Sequence, residues 1–165
     1  FPVIDPKRDW SRQLNKLCSN KDYLAAIAKM ANQMIVTKRC PLILGERVQM
    51  LKDLQEIITD SVCLIGETDE STRKDVLQNV GGKYKAVLST KLFDEGISCH
   101  RLDTLILTCP NNNPIKLEQR IGRIIREHPE KQVPMVIDFW LSGPIVSRQQ
   151  TKRLQWYQQR GYYIL

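Results

Sequence analysis

The sequence predicts an α/β protein, a three-layer sandwich with a mostly parallel central sheet between two layers of helix. Short apolar runs recur along the chain without polar–apolar alternation, as strands buried on both faces of a parallel sheet do. Between them lie segments with apolar residues at helical spacing, and alternation of the two builds right-handed βαβ units. Several runs also end in Gly or a small hydroxylated residue, where the carboxyl edge of such a sheet carries functional loops.

Residues 1–20 read as a connecting arm and leading helix, and residues 21–165 as one domain. Residues 21–38 place Ile27, Met30, Ala31, Met34 and Ile35 on a helical stripe. The first strand run is Pro41-Leu42-Ile43-Leu44-Gly45. The helix over 46–59 carries Val48, Leu51, Leu54 and Ile58 on its apolar side, with Lys52, Asp53, Gln55 and Glu56 mostly outside it. After the run Val62 to Gly66, the residues Asp69, Ser71 and Thr72 are candidate starters of a helix that stops at Gly81-Gly82. The third and fourth runs are Ala86 to Ser89 and Thr104 to Thr108. Pro114 suits the first turn of a helix over roughly 115–126. The run Val133 to Asp138 precedes a final helix, Ile145 to Gln159, ended by Gly161.

The charge balance favours a polyanionic partner: 25 Lys and Arg against 18 Asp and Glu leave a net +7. No apolar stretch approaches the ~18 to 20 residues of a membrane span. The start, Phe1-Pro2-Val3-Ile4, lacks a signal-peptide pattern and an initiator Met, so a fragment is expected. The five cysteines are scattered with no CxxC pair. Buried free thiols are expected, in a reducing intracellular compartment (cytoplasm or nucleus), and no metal site.

The stretch with the most chemical content is Gln119-Arg120-Ile121-Gly122-Arg123-Ile124-Ile125-Arg126. On a helix, Leu117, Ile121, Ile124 and Ile125 form a stripe that buries against the sheet. Gln119, Arg123 and Arg126, at i, i+4 and i+7, project together from another face. Two guanidiniums and a carboxamide form a donor set suited to a nucleotide γ-phosphate. Gly122 costs about 1 kcal/mol against Ala inside a helix, a cost that makes sense where another backbone or a nucleotide passes close. The bland alternative is a solvated arginine face. Upstream, Ser89-Thr90-Lys91-Leu92-Phe93-Asp94-Glu95-Gly96-Ile97-Ser98 follows a strand with exposed hydroxyls and amides suited to phosphate. A plain helix cap at Ser89-Thr90 is the competing reading.

Gln119 to Arg126 resembles motif VI of superfamily 2 helicases, and Ser89 to Ser98 resembles motif V. Pro41 to Arg47 resembles motif IV, and Ile65-Gly66-Glu67-Thr68 resembles the segment after the next strand. The resemblance implies a RecA-like fold and a role as the second motor domain. It makes Arg123 and Arg126 transition-state stabilisers with Gln119 on the γ-phosphate. Glu95, Gly96, Ser98 and Gly122 then line the nucleotide, and Ser89, Thr90, Arg47 and Thr68 meet the nucleic-acid backbone. Many family members carry Asp where this chain has Ser98, and serine brings no charge to the ribose. The Gly96-Ile97-Ser98 form resembles phage branch-migration and annealing helicases and helicases of large DNA viruses, and leans towards a viral source. ATP and Mg2+ are then bound mainly by an N-terminal RecA-like domain of the same polypeptide. The expected substrate is single-stranded or branched DNA, with RNA left open. The alternatives are a non-catalytic nucleic-acid-binding module and the motor subunit of a restriction enzyme. A phosphate loop and a DExH/D pair upstream of Phe1 distinguish the motor from the module.

Three tempting features read as structural. Gly81-Gly82-Lys83 is followed by Tyr84 and a strand, so it lacks the Ser or Thr and the helix of a Walker A loop. Asp138 ends a strand but is followed by Phe139-Trp140, which favours a capping or structural role. The basic and aromatic tail, Arg148 to Tyr157, could stack on bases, but Leu154 and Tyr157 have spacing suited to packing on the domain.

Overall fold

The computed structural model describes residues 9–90, 99–110, 113–126 and 128–165, apart from the side chains of Pro114 and Arg123. The helices are α1 (Trp10–Cys18), α2 (Lys21–Val36), α3 (Val48–Ile57), α4 (Glu70–Asn79), α5 (Pro114–Ile124) and α6 (Pro144–Gln159). The strands are β1 (Pro41–Leu44), β2 (Ser61–Leu64), β3 (Ala86–Ser89), β4 (Thr104–Leu107) and β5 (Met135–Asp138). They form one sheet in the order β2-β3-β1-β4-β5, and each neighbouring pair is parallel. All five carboxyl ends therefore share one edge, and the loop after β1 lies between those after β3 and β4.

The apolar runs lack alternation because both faces of the sheet are covered: β1, β3 and β4 are buried at every position. Ile43, Leu88 and Ile106 pack with Leu14, Ile27, Leu51 and Leu54 of α1, α2 and α3. Leu42, Leu44, Val87 and Leu105 pack with Val76 of α4 and with Leu117, Ile121 and Ile124 of α5. The last helix joins both sides, giving Val146 to the first cluster and Tyr157 to the second.

Two expected core residues stand outside it. Val48, the first residue of α3, is 40% exposed, and Met50 is buried instead. Ile125 is 53% exposed because it caps α5 rather than continuing it. The tail packs as expected at Tyr157, with Leu154 half-buried.

Local chemistry explains the element ends. Asp69 caps α4, accepting from Thr72 N at 2.9 Å and from the Ser71 and Thr72 hydroxyls, which satisfies a first-turn amide the helix itself leaves open. The Gly81-Gly82-Lys83 segment is a turn: Gly81 has φ +89, and a Cβ there would meet Arg101 Nε at 2.6 Å. Lys83 Nζ and Tyr84 Oη both donate to Asp75, at 2.9 and 2.7 Å, which ties the turn to α4. Asp138 is structural as well. It accepts from Arg153 Nε and Nη2 at 2.6 and 2.7 Å and from Tyr157 Oη at 3.2 Å.

Candidate functional site

The carboxyl edge collects the residues expected to meet nucleic acid. Thr108 and Gly45 stitch its centre: Thr108 Oγ1 donates to Leu44 O at 2.7 Å, and Gly45 N donates to Ser89 O at 3.1 Å. Ser89 is the last residue of β3 and fully buried, and its Oγ has no partner among the described residues. Thr90 is the next residue and is half-exposed, so of the two it is the one that reaches the surface. Arg47 sits just before α3, one loop away on the neighbouring strand. Thr68 lies at the β2 end, where its hydroxyl accepts from Ile65 N at 2.9 Å. Arg73 braces the same turn by donating to Thr68 O at 2.9 Å. The bond from Ile65 N occupies one lone pair of the Thr68 hydroxyl and leaves its proton to donate.

This edge is roofed by the α1–α2 corner. Tyr23 Oη donates to Thr108 O at 2.6 Å, and the Tyr23 ring meets Phe139 edge-on at 5.7 Å. Burial raises the Tyr23 hydroxyl above its ordinary value, so it stays a donor at any working pH. The hydrogen bond with Cys109, together with burial, pushes the Cys18 thiol up. Of the free thiols, Cys18, Cys40 and Cys99 are buried as expected, while Cys63 and Cys109 are half-buried; burial raises Cys40 to about 12 and Cys63 to about 11. Sequence reasoning missed Tyr23, although it continues the α2 stripe one turn before Ile27 and is buried with it.

Gln119 and Gly122 of the expected nucleotide set lie elsewhere, on α5. Asn113 caps α5, accepting from Ile115 N and Lys116 N at 3.1 and 3.2 Å. The 11 residues of α5 then carry the chain roughly 16 Å away from the carboxyl edge. Gln119 is exposed on this helix. An ideal Cβ on Gly122 meets nothing within 4 Å among the described residues, so no packing against them explains that glycine. The helix ends at Ile124, and Arg126 falls in a bend beyond it. This corrects the expected continuous helix to 126 and with it the simple i+7 placement of Arg126. A proline at 129 keeps residue 128 out of the helical region, and Lys131 Nζ takes the Arg126 carbonyl at 2.6 Å. The Arg123 side chain and Glu95, Gly96 and Ser98 lie outside the described residues.

Two open grooves flank this end of α5. One, of about 600 Å³, is lined by Ile125, Arg126, His128 and Lys131. The other, of about 550 Å³, includes Gly81, His100, Arg101 and His128. Both belong to the amino edge of the sheet, away from Thr90 and Arg47. Among the described residues no group of three or more His, Cys, Asp or Glu side chains could hold a metal ion. No described helix is long and apolar enough to cross a membrane.

A model of the helicase conserved C-terminal domain matches residues 22–128, from α2 past the end of α5. The chain belongs to this family. Probable helicase D10 of Escherichia phage T5 is 26% identical over 159 residues, covering 93% of this chain and 35% of the phage protein. Putative helicase 22 of Sulfolobus islandicus filamentous virus (isolate Iceland/Hveragerdi) is 29% identical over 120 residues, 68% of this chain and 21% of that protein. The chain thus spans well under two thirds of either relative. The crystal structure of T4 UvsW superimposes with a TM-score of 0.74 at 17% identity, over 95% of this chain and 36% of that one. The DUF1998 helicase MrfA bound to DNA and AMPPNP gives 0.66 at 15% identity, over 82% and 20%. The fold is the RecA-like one of helicase C-terminal domains.

Proposed function

We propose that this chain is the second motor domain of an ATP-dependent superfamily 2 helicase or translocase acting on nucleic acid, DNA in the first instance. The observation that carries the reading is the helicase C-terminal match over residues 22–128, which takes in the carboxyl-edge loops and α5 together. In this reading ATP lies between this domain and an N-terminal RecA-like domain of the same polypeptide. That partner holds the phosphate loop, the magnesium carboxylate and the catalytic Glu. Arg123 and Arg126 stabilise charge developing on the transferred phosphoryl group, and Gln119 positions it. Glu95, Gly96 and Ser98 belong to the nucleotide side. Thr90, with Arg47 and Thr68, holds the strand, and cleft closure and opening step it along. MrfA was crystallised with DNA and AMPPNP, the pair of ligands this reading assigns to the whole motor.

The test is nucleic-acid-stimulated ATP hydrolysis by the full natural polypeptide. Arg123→Ala is expected to lower turnover at least ~10²-fold with ATP binding retained, since an arginine finger contributes about 10³ to 10⁵. Unchanged turnover would make α5 a surface helix and put the non-catalytic binding module first. The 165-residue chain alone is expected not to hydrolyse ATP.

A further inference from the structure

Arg47 is not oriented by its own loop alone. Its Nε donates to Asn15 Oδ1 at 2.7 Å and its Nη2 to Ser11 Oγ at 3.3 Å, while Nη1 takes Glu46 O at 3.2 Å. Asn15 and Ser11 are one turn apart on α1, a helix that lies before the family match begins at residue 22. That helix is fixed in place. Leu14, Leu17 and Cys18 are buried in the core, and the Cys18–Cys109 and Tyr23–Thr108 contacts seat the α1–α2 corner on the carboxyl end of β4.

The outer side of α1 is basic. Arg12 and Lys16 are both exposed and stand four residues apart, about 6 Å along the axis. Among the described residues, none of Arg12, Lys16 and Arg47 forms an ion pair. The nearest acid in α1, Asp9, is engaged as its cap, accepting from Ser11 N at 3.0 Å and Arg12 N at 3.5 Å. Glu46 is the carboxylate adjoining Arg47 in the chain. Arg12 and Lys16 therefore stand exposed, without a counter-ion among the described residues, on the helix that holds Arg47, and exposed cations of that kind suit phosphates.

We infer that α1 is part of the nucleic-acid track: Asn15 and Ser11 aim Arg47, and Arg12 and Lys16 neutralise backbone phosphates of a single strand lying along the carboxyl edge. The inference rests on the nucleic-acid reading of that edge given above. Asn15 and Ser11 are positioning residues, while Arg12, Lys16 and Arg47 are the contacts.

The experiment is salt-dependent binding of a fluorescein-labelled oligo-dT to the 165-residue chain, read by anisotropy, with helicity checked by circular dichroism. Replacing Arg12 and Lys16 together by Gln is expected to make the slope of log K against log salt shallower by about 1.4, at about 0.7 per phosphate on a single strand. The swap Arg12→Lys with Lys16→Arg is expected to preserve the slope. Asn15→Ala is expected to weaken binding in the wild-type background and to have no effect beside Arg47→Ala. If the Gln pair leaves the slope unchanged while Thr90→Ala weakens binding, α1 is not on the track and the edge reading survives. If Asn15→Ala costs the same with or without Arg47, the positioning role falls. If the chain binds no oligo-dT at any salt, the edge reading and this inference fall together.

Discussion

The carboxyl edge and the α5 flank carry the two halves of the expected chemistry, and they are built differently. At the carboxyl edge the polar groups are held from within the chain: Arg47 by Asn15 and Ser11, Thr68 by Ile65, and the Thr108 turn by Tyr23. Along α5, Gln119 is exposed and Gly122 faces open space among the described residues. The first surface is ready to receive an extended ligand. The second matches the half-site proposed above, in which the N-terminal domain would supply the remaining contacts. In the proposed motor, preorganisation would thus be concentrated where the strand is held and left incomplete where the cleft opens.

The largest effect that could break this contrast is the one at Arg123. Turnover of the full polypeptide should fall at least ~10²-fold in Arg123→Ala, while its urea midpoint stays at the wild-type value. A large loss of stability would mean that the arginine is part of the fold rather than of a half-site. Next comes Tyr23→Phe, which leaves the Thr108 carbonyl without its 2.6 Å donor. Denaturant titration should register a loss of about 1 to 3 kcal/mol, the usual cost of an orphaned buried acceptor. No loss would mean that the roof over the carboxyl edge is not what stiffens it. Gly122→Ala sharpens the contrast from the other side. Stability should rise by up to about 1 kcal/mol from helix propensity, while ATP turnover of the full polypeptide drops because the added methyl occupies the interface. A rise in both would remove the interface from α5.

The smallest effect concerns pH. The Ser71 and Thr72 hydroxyls and the Thr72 amide hold the Asp69 carboxyl well below its ordinary 3.8. Its contribution is present in full above that unfolded value and fades as pH falls towards the folded one. Acid unfolding followed by circular dichroism should therefore show a gentler loss below about pH 4 in Asp69→Asn.

Much of this was legible because it is local. The runs of β1, β3 and β4 were readable as doubly buried from their lack of alternation, while β2 and β5, at the sheet edges, are only partly buried; each run lies within a residue or two of the observed strand. The α4 cap at Asp69, the stop at Gly161 and the turn at Gly81 follow from side-chain and φ preferences alone. The strand order β2-β3-β1-β4-β5 was not legible, since nothing local in a run names its neighbour. The end of α5 was misplaced by the apolar spacing of Ile124 and Ile125, which continues a pattern that the backbone abandons. The Arg47–Asn15 pair joins the residue before α3 to α1, and neither residue type signals the other. Of the candidate site, the residue types and their loops were readable. Which of Ser89 and Thr90 surfaces was not, because it depends on where β3 leaves the sheet.

The last helix has a consequence for how the domain comes apart. With Val146 in one core, Tyr157 in the other and Arg153 locked on Asp138 between them, α6 works as a rivet through the sandwich. Neither layer of helices can peel from the sheet without disturbing the side chains that secure the other. Such coupling makes melting cooperative across both layers. A force applied to the α5 flank would then be felt by the whole body instead of being absorbed by one loosened face.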